Sequence, residues 1–596
     1  MITFNKPDVE QFFRTYGIQT FAVSPDESQV VFSTNLSGKY NLWSMNLPHQ
    51  FPQPLTFIDQ SCQALTFDKN GRYMIAGFDQ DGDENTQLYA LPPQGGTLQP
   101  VRTKQGYRHM EPQLSKDGQR LYYTSNKDNE VYLNVYVYDL EKDEESRLIE
   151  GTEAATTLVE VGPEESSYLY SKHFANTYSL MYVRHKGEDI LLTPPTDQQH
   201  TVSDATFISE HDIYMVTNYH ADTSYLAKYD LQTQSFSKVI DIEGISLSTV
   251  HYDQTHQHLY LIGAKGVEDR LYQYDLNTGE NNSIDSPTSV IEKLVVSEKG
   301  NLYLLGRNAT RPHNIYTKPH NATEWSPLTA YEVPGVPENT LVEPEILKYP
   351  SFDGMEIEAL FFKAKEDVNN GHVILWPHGG PQSAERKWFR ALFQFLVNRG
   401  YSIFAPNFRG SSQYGLKFMK MVEGDWGHGP RLDNVEGLEY IIKQGYADRD
   451  KILLMGGSYG GYMALLLHGR HADYFKAVVD IFGVSDLFSF VDSVPEHWKP
   501  IMKQWVGDPV EDRERFIKDS PITYVDMMTK PMLVIQGAKD PRVVKAESDK
   551  VVEALNKNGT AISYMVLEDE GHGFSKKENE MKVYRAVLDF FDQFIE

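Results

Sequence analysis

The sequence predicts a β + α/β chain: a seven-bladed β-propeller followed by an α/β domain built on a mostly parallel sheet. Three observations carry this. A strand-rich unit recurs seven times in the first half, strand-like and helix-like runs alternate in the second, and Gly456-Gly457-Ser458-Tyr459-Gly460 stands where one of those strands meets a helix.

The repeats begin near Phe21, Leu65, Pro112, Leu158, Ala205, Thr249 and Lys293, with successive starts 44 to 47 residues apart. Each unit opens on an alternating apolar strand and a polar turn such as Ser24-Pro25-Asp26, Ser115-Lys116-Asp117-Gly118 or Ser297-Glu298-Lys299-Gly300. A strand rich in Tyr follows, and closing strands include Asn41-Leu42-Trp43, Val135-Tyr136-Val137-Tyr138 and Leu271-Tyr272-Gln273-Tyr274. That period and strand content are those of propeller blades, which bury their faces only by stacking on one another. Proline and glycine in Tyr331-Glu332-Val333-Pro334-Gly335-Val336-Pro337 interrupt the pattern, so the expected domains are 1–330 and 331–596.

Beyond that boundary, strands are expected at Glu345–Tyr349, Val373–Leu375, Ile452–Met455, Ala477–Ile481, Pro531–Gly537 and Ile562–Leu567. Helices are expected at Lys387–Asn398, Leu432–Lys443, Lys545–Asn558 and Lys577–Phe594. Such alternation describes a sheet covered on both faces.

Placed at a sharp strand-to-helix turn, the glycines flanking Ser458 allow a strained backbone and close approach of strand and helix, which makes Ser458 a candidate nucleophile. A serine hydroxyl needs a base, and the base needs an orienting carboxylate. Asp540 follows the strand ending at Gly537, and His572 lies between two glycines after the strand ending at Leu567. Asp569 and Asp486 are competing carboxylates. The order Ser458, Asp540, His572 is that of an α/β-hydrolase domain. Oxyanion donors are expected from the backbone N–H of Tyr459 and, in the loop Pro377-His378-Gly379-Gly380-Pro381, from that of Gly380. Gly424-Asp425-Trp426-Gly427 reads as a loop leading into a helix. Arg542, two residues after Asp540, stands on the rim of the same site, able to donate to a peptide carbonyl or a terminal carboxylate of the substrate, or to hold its loop by a salt bridge.

A propeller joined to Gly456-Gly457-Ser458-Tyr459-Gly460-Gly461-Tyr462 resembles the prolyl oligopeptidase family of serine peptidases, in its acylaminoacyl-peptidase-like branch. Further marks are Ser351-Phe352-Asp353-Gly354, His378-Gly379-Gly380-Pro381, Asn407-Phe408-Arg409-Gly410-Ser411, Gly424-Asp425-Trp426-Gly427, Asp540-Pro541-Arg542-Val543 and His572-Gly573-Phe574. The resemblance implies a peptidase whose propeller covers the site and admits short peptides while excluding folded proteins. It implies that Arg542 holds the carbonyl of the residue one position before the scissile one. It also implies a pocket for the side chain before the cleaved bond, lined by Phe482, Val484 and Phe488. No metal or organic cofactor is implied.

Composition bounds the rest. At 596 residues and 40% apolar content the chain can bury two cores. Cys62 is the sole cysteine, which excludes an intrachain disulfide and a cysteine-cluster metal site and suits a reducing compartment. With no basic, apolar leader at Met1–Asp8 and no long apolar run, a cytoplasmic protein is expected. A formal charge of -27 disfavours nucleic acid and anionic membranes as partners and leaves a homo-oligomer open. Three other functions fit the same residues: an esterase or lipase acting on short acyl esters, an amino-, dipeptidyl- or carboxy-exopeptidase, and a non-catalytic binding protein that works through its propeller.

Overall fold

A computed structural model describes residues 6–58 and 60–595. From Ile18 to Pro327 the chain forms seven four-stranded antiparallel sheets, each made from one continuous stretch. All seven expected repeat starts fall in the first strand of a blade: Phe21 in Ile18–Val23, Leu65 in Cys62–Phe67, Pro112 in His109–Leu114, Leu158 in Ala155–Val161, Ala205 in Val202–Phe207, Thr249 in Ser246–Asp253 and Lys293 in Val290–Val296. In every blade the first and second strands pair with a register shift, and such bulges bend a strand and increase its twist.

Neighbouring blades are tied by side chains of the first strands. The Val161 N–H donates to Gln113 Oε1 at 3.0 Å, the Phe207 N–H to Glu160 Oε2 at 3.2 Å and the Val250 N–H to Asp204 Oδ2 at 2.9 Å. Burial pushes the Glu160 carboxyl up to about 7 and that of Asp204 up to about 6. Between the seventh and first blades the ring closes in the same manner: Lys293 Nζ donates to the Phe21 carbonyl at 2.8 Å, and Tyr303 Oη to Glu27 Oε2 at 2.8 Å. Ile18, Phe21 and Val30 share a buried cluster there with Tyr303, Leu305 and Ile315.

The second half forms one eight-stranded sheet, whose strands are numbered β1 (Glu345–Pro350), β2 (Glu356–Phe362), β3 (Val373–Leu375), β4 (Ser402–Asn407), β5 (Ile452–Gly457), β6 (Val478–Ile481), β7 (Met532–Gly537) and β8 (Ile562–Leu567). Their spatial order is 1-2-4-3-5-6-7-8, antiparallel at β1–β2 and β2–β4 and parallel thereafter. Alternate residues enter opposite cores. Ile452, Leu454, Met532 and Val534 face one side, and Leu453, Met455, Leu533 and Ile535 the other. This is why these strands read as continuous apolar runs. The expected helix Lys545–Asn558 is observed with those bounds and ends on Gly559 in the left-handed conformation at φ 75°. The last helix runs Lys577–Phe591 and tightens into a short turn at Asp592–Phe594.

One segment departs from the expected division at 330. The helix Val9–Phe13 lies against the α/β unit: Val9, Phe12 and Phe13 join its core, with Phe13 stacked on Tyr584 at 4.8 Å and Phe12 tilted against Phe395 at 5.7 Å. Apolar residues at i, i+3 and i+4 give this one-turn helix a single sticky face, and the α/β surface offers the aromatic partners for it.

Candidate active site

In an order that passes from β3 to β4 on one side and to β5 on the other, the crevice at the carboxyl ends of β3 and β5 is the place for a site. Ser458 stands there, at the end of β5, with φ 57° and ψ −123°. Its N–H donates to the Ile481 carbonyl at 2.9 Å, and the helix Tyr459–His471 starts directly after it. The surrounding glycines are required by contact: a Cβ on Gly456 would lie 2.1 Å from the Gly460 carbonyl oxygen, and one on Gly460 2.2 Å from that of Pro377.

Asp540 and His572 reach this elbow from the loops after β7 and β8. His572 Nε2 lies 3.0 Å from Ser458 Oγ, and its Nδ1 2.6 Å from Asp540 Oδ2. The other carboxylate oxygen of Asp540 accepts the N–H groups of Arg542 and Val543 at 2.8 and 2.9 Å, so the loop backbone aims it. With a carboxylate at Nδ1, the imidazole places its proton there and presents a lone pair to the serine hydroxyl. The His572 loop is pinned from inside by Glu570, which is fully buried and accepts the N–H groups of Ser575 and Lys576 at 2.8 and 3.0 Å. The competing carboxylates serve elsewhere. Asp569 bonds Lys576 and Asn579, while Asp486 caps the helix Leu487–Ser493 through the Phe488 N–H at 3.0 Å.

A cavity of about 100 Å³ opens beside Ser458, lined also by Gly380, Tyr459, Arg542 and His572, so both expected oxyanion residues face it. The loop carrying Gly380 is braced by His378, which stacks on Phe408 at 4.2 Å and donates through Nδ1 to the Gly379 carbonyl at 2.7 Å. Burial pushes the His378 imidazole down to about 4, so it is a neutral prop.

The pocket wall differs in part from the expectation. Val484 lines it, but Phe488 does not: it packs on Phe516 at 5.2 Å, on the far side of its short helix. Phe490, two residues on and therefore on the opposite helical face, takes that place. Phe482 lies behind His572, ring against ring at 4.7 Å, and supports the base rather than lining the pocket. Trp426, Trp498 and Trp505 complete the wall, Trp426 and Trp505 meeting edge to face at 5.0 Å. Gly424-Asp425-Trp426-Gly427 does lead into a helix, Asp425 accepting the Gly429 N–H at 3.1 Å, and the same loop delivers Trp426 to the pocket.

Arg542 is engaged with the propeller. Its Nε and a terminal nitrogen lie 2.8 and 2.6 Å from Glu84 Oε1, and its guanidinium sits 5.5 Å from the Trp498 ring. Glu84 belongs to the connection between the second and third strands of blade two, which also places Asp81 3.3 Å from Lys539. In the same connection Gly82 meets Gly571 so closely that a Cβ on Gly571 would lie 2.8 Å from the Gly82 carbonyl oxygen. The repeat spacing does not identify this connection as the one above the site. Its signal in the sequence is the acidic run Asp79-Gln80-Asp81-Gly82-Asp83-Glu84.

An α/β-hydrolase fold with a Ser-His-Asp constellation under a seven-bladed propeller defines the class. Residues 387–596 match the profile of the prolyl oligopeptidase family. Among curated relatives, "Dipeptidyl peptidase family member 6" of Caenorhabditis elegans is 37% identical over 37% of this chain and 31% of its own length. The chain spans about a third of the length of the curated relatives it matches first. Among solved structures, a Mycobacterium tuberculosis puromycin-hydrolyzing peptidase superposes with a TM-score of 0.88 at 16% identity over 100% of this chain and 97% of its own. Pyrococcus horikoshii acylaminoacyl peptidase gives 0.76 at 20% identity over 99% and 97%. These two likenesses establish the fold across the whole chain.

Proposed function

We propose that the protein is a serine peptidase of the prolyl oligopeptidase type, hydrolysing short peptides through an acyl-enzyme. The observation that carries this is the His572 ring, bonded on one nitrogen to Asp540 and on the other within 3.0 Å of Ser458 Oγ. His572 takes the hydroxyl proton as Ser458 attacks the carbonyl, and Asp540 stabilises the resulting imidazolium. The N–H groups of Tyr459 and Gly380 receive the oxyanion. His572 then protonates the leaving amine, and water repeats the sequence on the acyl group.

The aromatic wall and small volume of the cavity support a preference for an apolar side chain before the cleaved bond. The names of the relatives, a dipeptidyl peptidase and an acylaminoacyl peptidase among them, support peptide over ester substrates. In this reading residues 1–330 form the covering unit and 331–596 the catalytic one, with the helix Val9–Phe13 lent to the latter. No helix among the described residues is long and apolar enough to cross a membrane. The single buried cysteine suits the reducing cytoplasm, which is the compartment proposed here.

The test is turnover of peptidyl anilides against matched esters, together with fluorophosphonate labelling of Ser458. Ester turnover without anilide turnover assigns an esterase, and failure to label removes the nucleophile. A panel of free, acetylated and carboxyl-amidated peptides then separates the acylaminoacyl and oligopeptidase readings from an exopeptidase that reads a terminus.

A further inference from the structure

Gly380, Trp426 and Trp505, which wall the cavity beside Ser458, belong to three segments that meet the propeller at one polar node. Asn176 and Thr177 form the two-residue connection between the second and third strands of blade four, Ser167–Ala175 and Tyr178–His185. Glu423 directly precedes Gly424-Asp425-Trp426, Gln382 follows Gly380 by two residues in the oxyanion loop, and Gln504 stands beside Trp505 at the end of the helix Lys499–Trp505. The Glu423 carboxylate is the hub. Its Oε1 accepts Thr177 Oγ1 and Gln382 Nε2, the latter at 3.3 Å, and its Oε2 accepts Gln504 Nε2 at 3.0 Å.

The partners of Glu423 are themselves fixed. Gln382 also donates to the Met419 carbonyl at 3.2 Å and accepts Asn176 Nδ2 at 2.8 Å, and Asn176 Oδ1 lies 3.3 Å from His173 Nε2. Gln504 and Gln199, the latter between blades four and five, exchange two amide bonds at 3.0 and 3.1 Å. The Gly424 N–H donates to the Trp505 carbonyl at 3.2 Å, so backbone joins the two tryptophan segments as well. Gly380 has φ 128°, and a Cβ there would lie 3.0 Å from the Gln382 nitrogen, so contact passes a shift of Gln382 to the Gly380 N–H. Thr177 is fully buried, and a hydroxyl donating to a carboxylate is a charge-assisted, directional bond. Docking of the two units does not require this convergence. At blade six the pairs Arg386–Asp269 and Lys387–Glu268 join them and line no part of the cavity.

We propose that Glu423 is a positioning residue of the hydrolytic site: held by Thr177 of blade four, its carboxylate sets the oxyanion loop through Gln382 and the tryptophan wall through Gln504. A contact with the propeller thereby fixes one of the two oxyanion donors. The proposal rests on the reading of Ser458, Tyr459 and Gly380 as an acyl-transfer site. Glu423 acts through its neighbours and touches no reacting atom. Its effect falls on the transition state, because the donors must stand about 3 Å from the developing oxyanion and a misplacement of about 1 Å costs on the order of 100-fold.

The experiment uses the full chain and its variants Glu423→Gln, Thr177→Val and Thr177→Ser, with a peptidyl anilide as substrate. Two inhibitors of the same sequence accompany it: a peptidyl aldehyde, whose adduct on Ser458 puts its oxygen among the oxyanion donors, and the peptidyl alcohol, which forms no adduct. Glu423→Gln keeps the reach of the side chain but turns one acceptor into a donor, and it lowers kcat about 10- to 100-fold with KM within about threefold of the parent. Thr177→Val, on the propeller and nearly isosteric, lowers kcat about fivefold and carries the test alone if Glu423→Gln does not fold. Thr177→Ser, which keeps the hydroxyl, restores it. In the impaired variants the aldehyde weakens by the factor that kcat/KM loses, while the alcohol keeps its affinity. Parental kcat in both Glu423→Gln and Thr177→Val overturns the proposal, as does equal weakening of aldehyde and alcohol, which leaves a docking contact. A parent that turns over no anilide removes the peptidase reading alone, and the variants are then compared on the matched ester and on the rate of fluorophosphonate labelling. A parent inert to all three removes the site and this proposal with it.

Discussion

Removing the Arg542 guanidinium tests what that side chain is for. In the structure it shares one oxygen of Glu84, at 2.6 and 2.8 Å, and both side chains are about a third exposed. A pair that wet is worth about 1 kcal/mol at most. A hydrogen bond from a charged donor to a substrate carbonyl is worth about 1.5–3 kcal/mol. If Arg542 holds the carbonyl of the residue one position before the scissile one, Glu84 competes with substrate, and the two substitutions have opposite signs. Arg542→Ala lowers kcat/KM about 10- to 150-fold for anilides with two residues before the cleaved bond and much less for single-residue esters. Glu84→Gln frees the guanidinium and raises kcat/KM for the longer substrate by up to about fivefold. The assay is kcat/KM for both substrate lengths in the parent, the two variants and the double variant. Equal losses in Arg542→Ala and Glu84→Gln, independent of substrate length, would falsify the substrate role and leave a brace between propeller and catalytic loop.

Other outcomes follow from the same geometry. Ser458→Ala and His572→Ala keep the fold and lower kcat about a millionfold, and Asp540→Asn costs about 10⁴-fold, read by burst-free steady-state kinetics with an intact circular-dichroism spectrum. Variants within tenfold of the parent contradict the assignment. Glu160, with its carboxyl raised from 4.5 to about 7 by burial, adds stability that is complete below the unfolded value and lost as pH rises through 7. Glu160→Gln therefore gains up to about 3 kcal/mol over the parent at pH 8 and little at pH 4, measured by urea unfolding; a gain of the same size at both pH values excludes the titration. Given a denatured protein, its short tryptic fragments and the same protein folded, the enzyme cuts the fragments fastest and spares the folded chain, which gel and mass analysis record. Efficient cutting of the folded protein assigns the propeller a role other than gating.

Much of this architecture is legible in the sequence because it is periodic or local. The seven blade starts stand out since each first strand alternates and sits a blade apart, and the triad stands out because its members follow apolar runs that can only be buried strands. The pocket is less legible. Phe488 and Phe490 are both aromatic and both adjacent to β6, and only the phase of a seven-residue helix sends one to Phe516 and the other to the cavity. Trp498 and Trp505 come from turns and a short helix without a motif of their own. Contacts between units are the least legible, since the rotation of the ring over the sheet decides which of seven equivalent connections meets His572.

The connection of blade two changes what the propeller does at the site. A pure filter would leave the catalytic loops self-supporting and touch only the substrate path. Here Gly82 rests on Gly571, Asp81 pairs with Lys539, and Glu84 holds Arg542, so the loops that carry Asp540 and His572 are gripped from outside by a propeller element. From inside, the buried Glu570 bonds the backbone just after His572. The imidazole is thus fixed between two supports, one in each unit. Separating the units would remove one of them and loosen the base. The surface on which the propeller meets the catalytic loops is thus also one that holds the base.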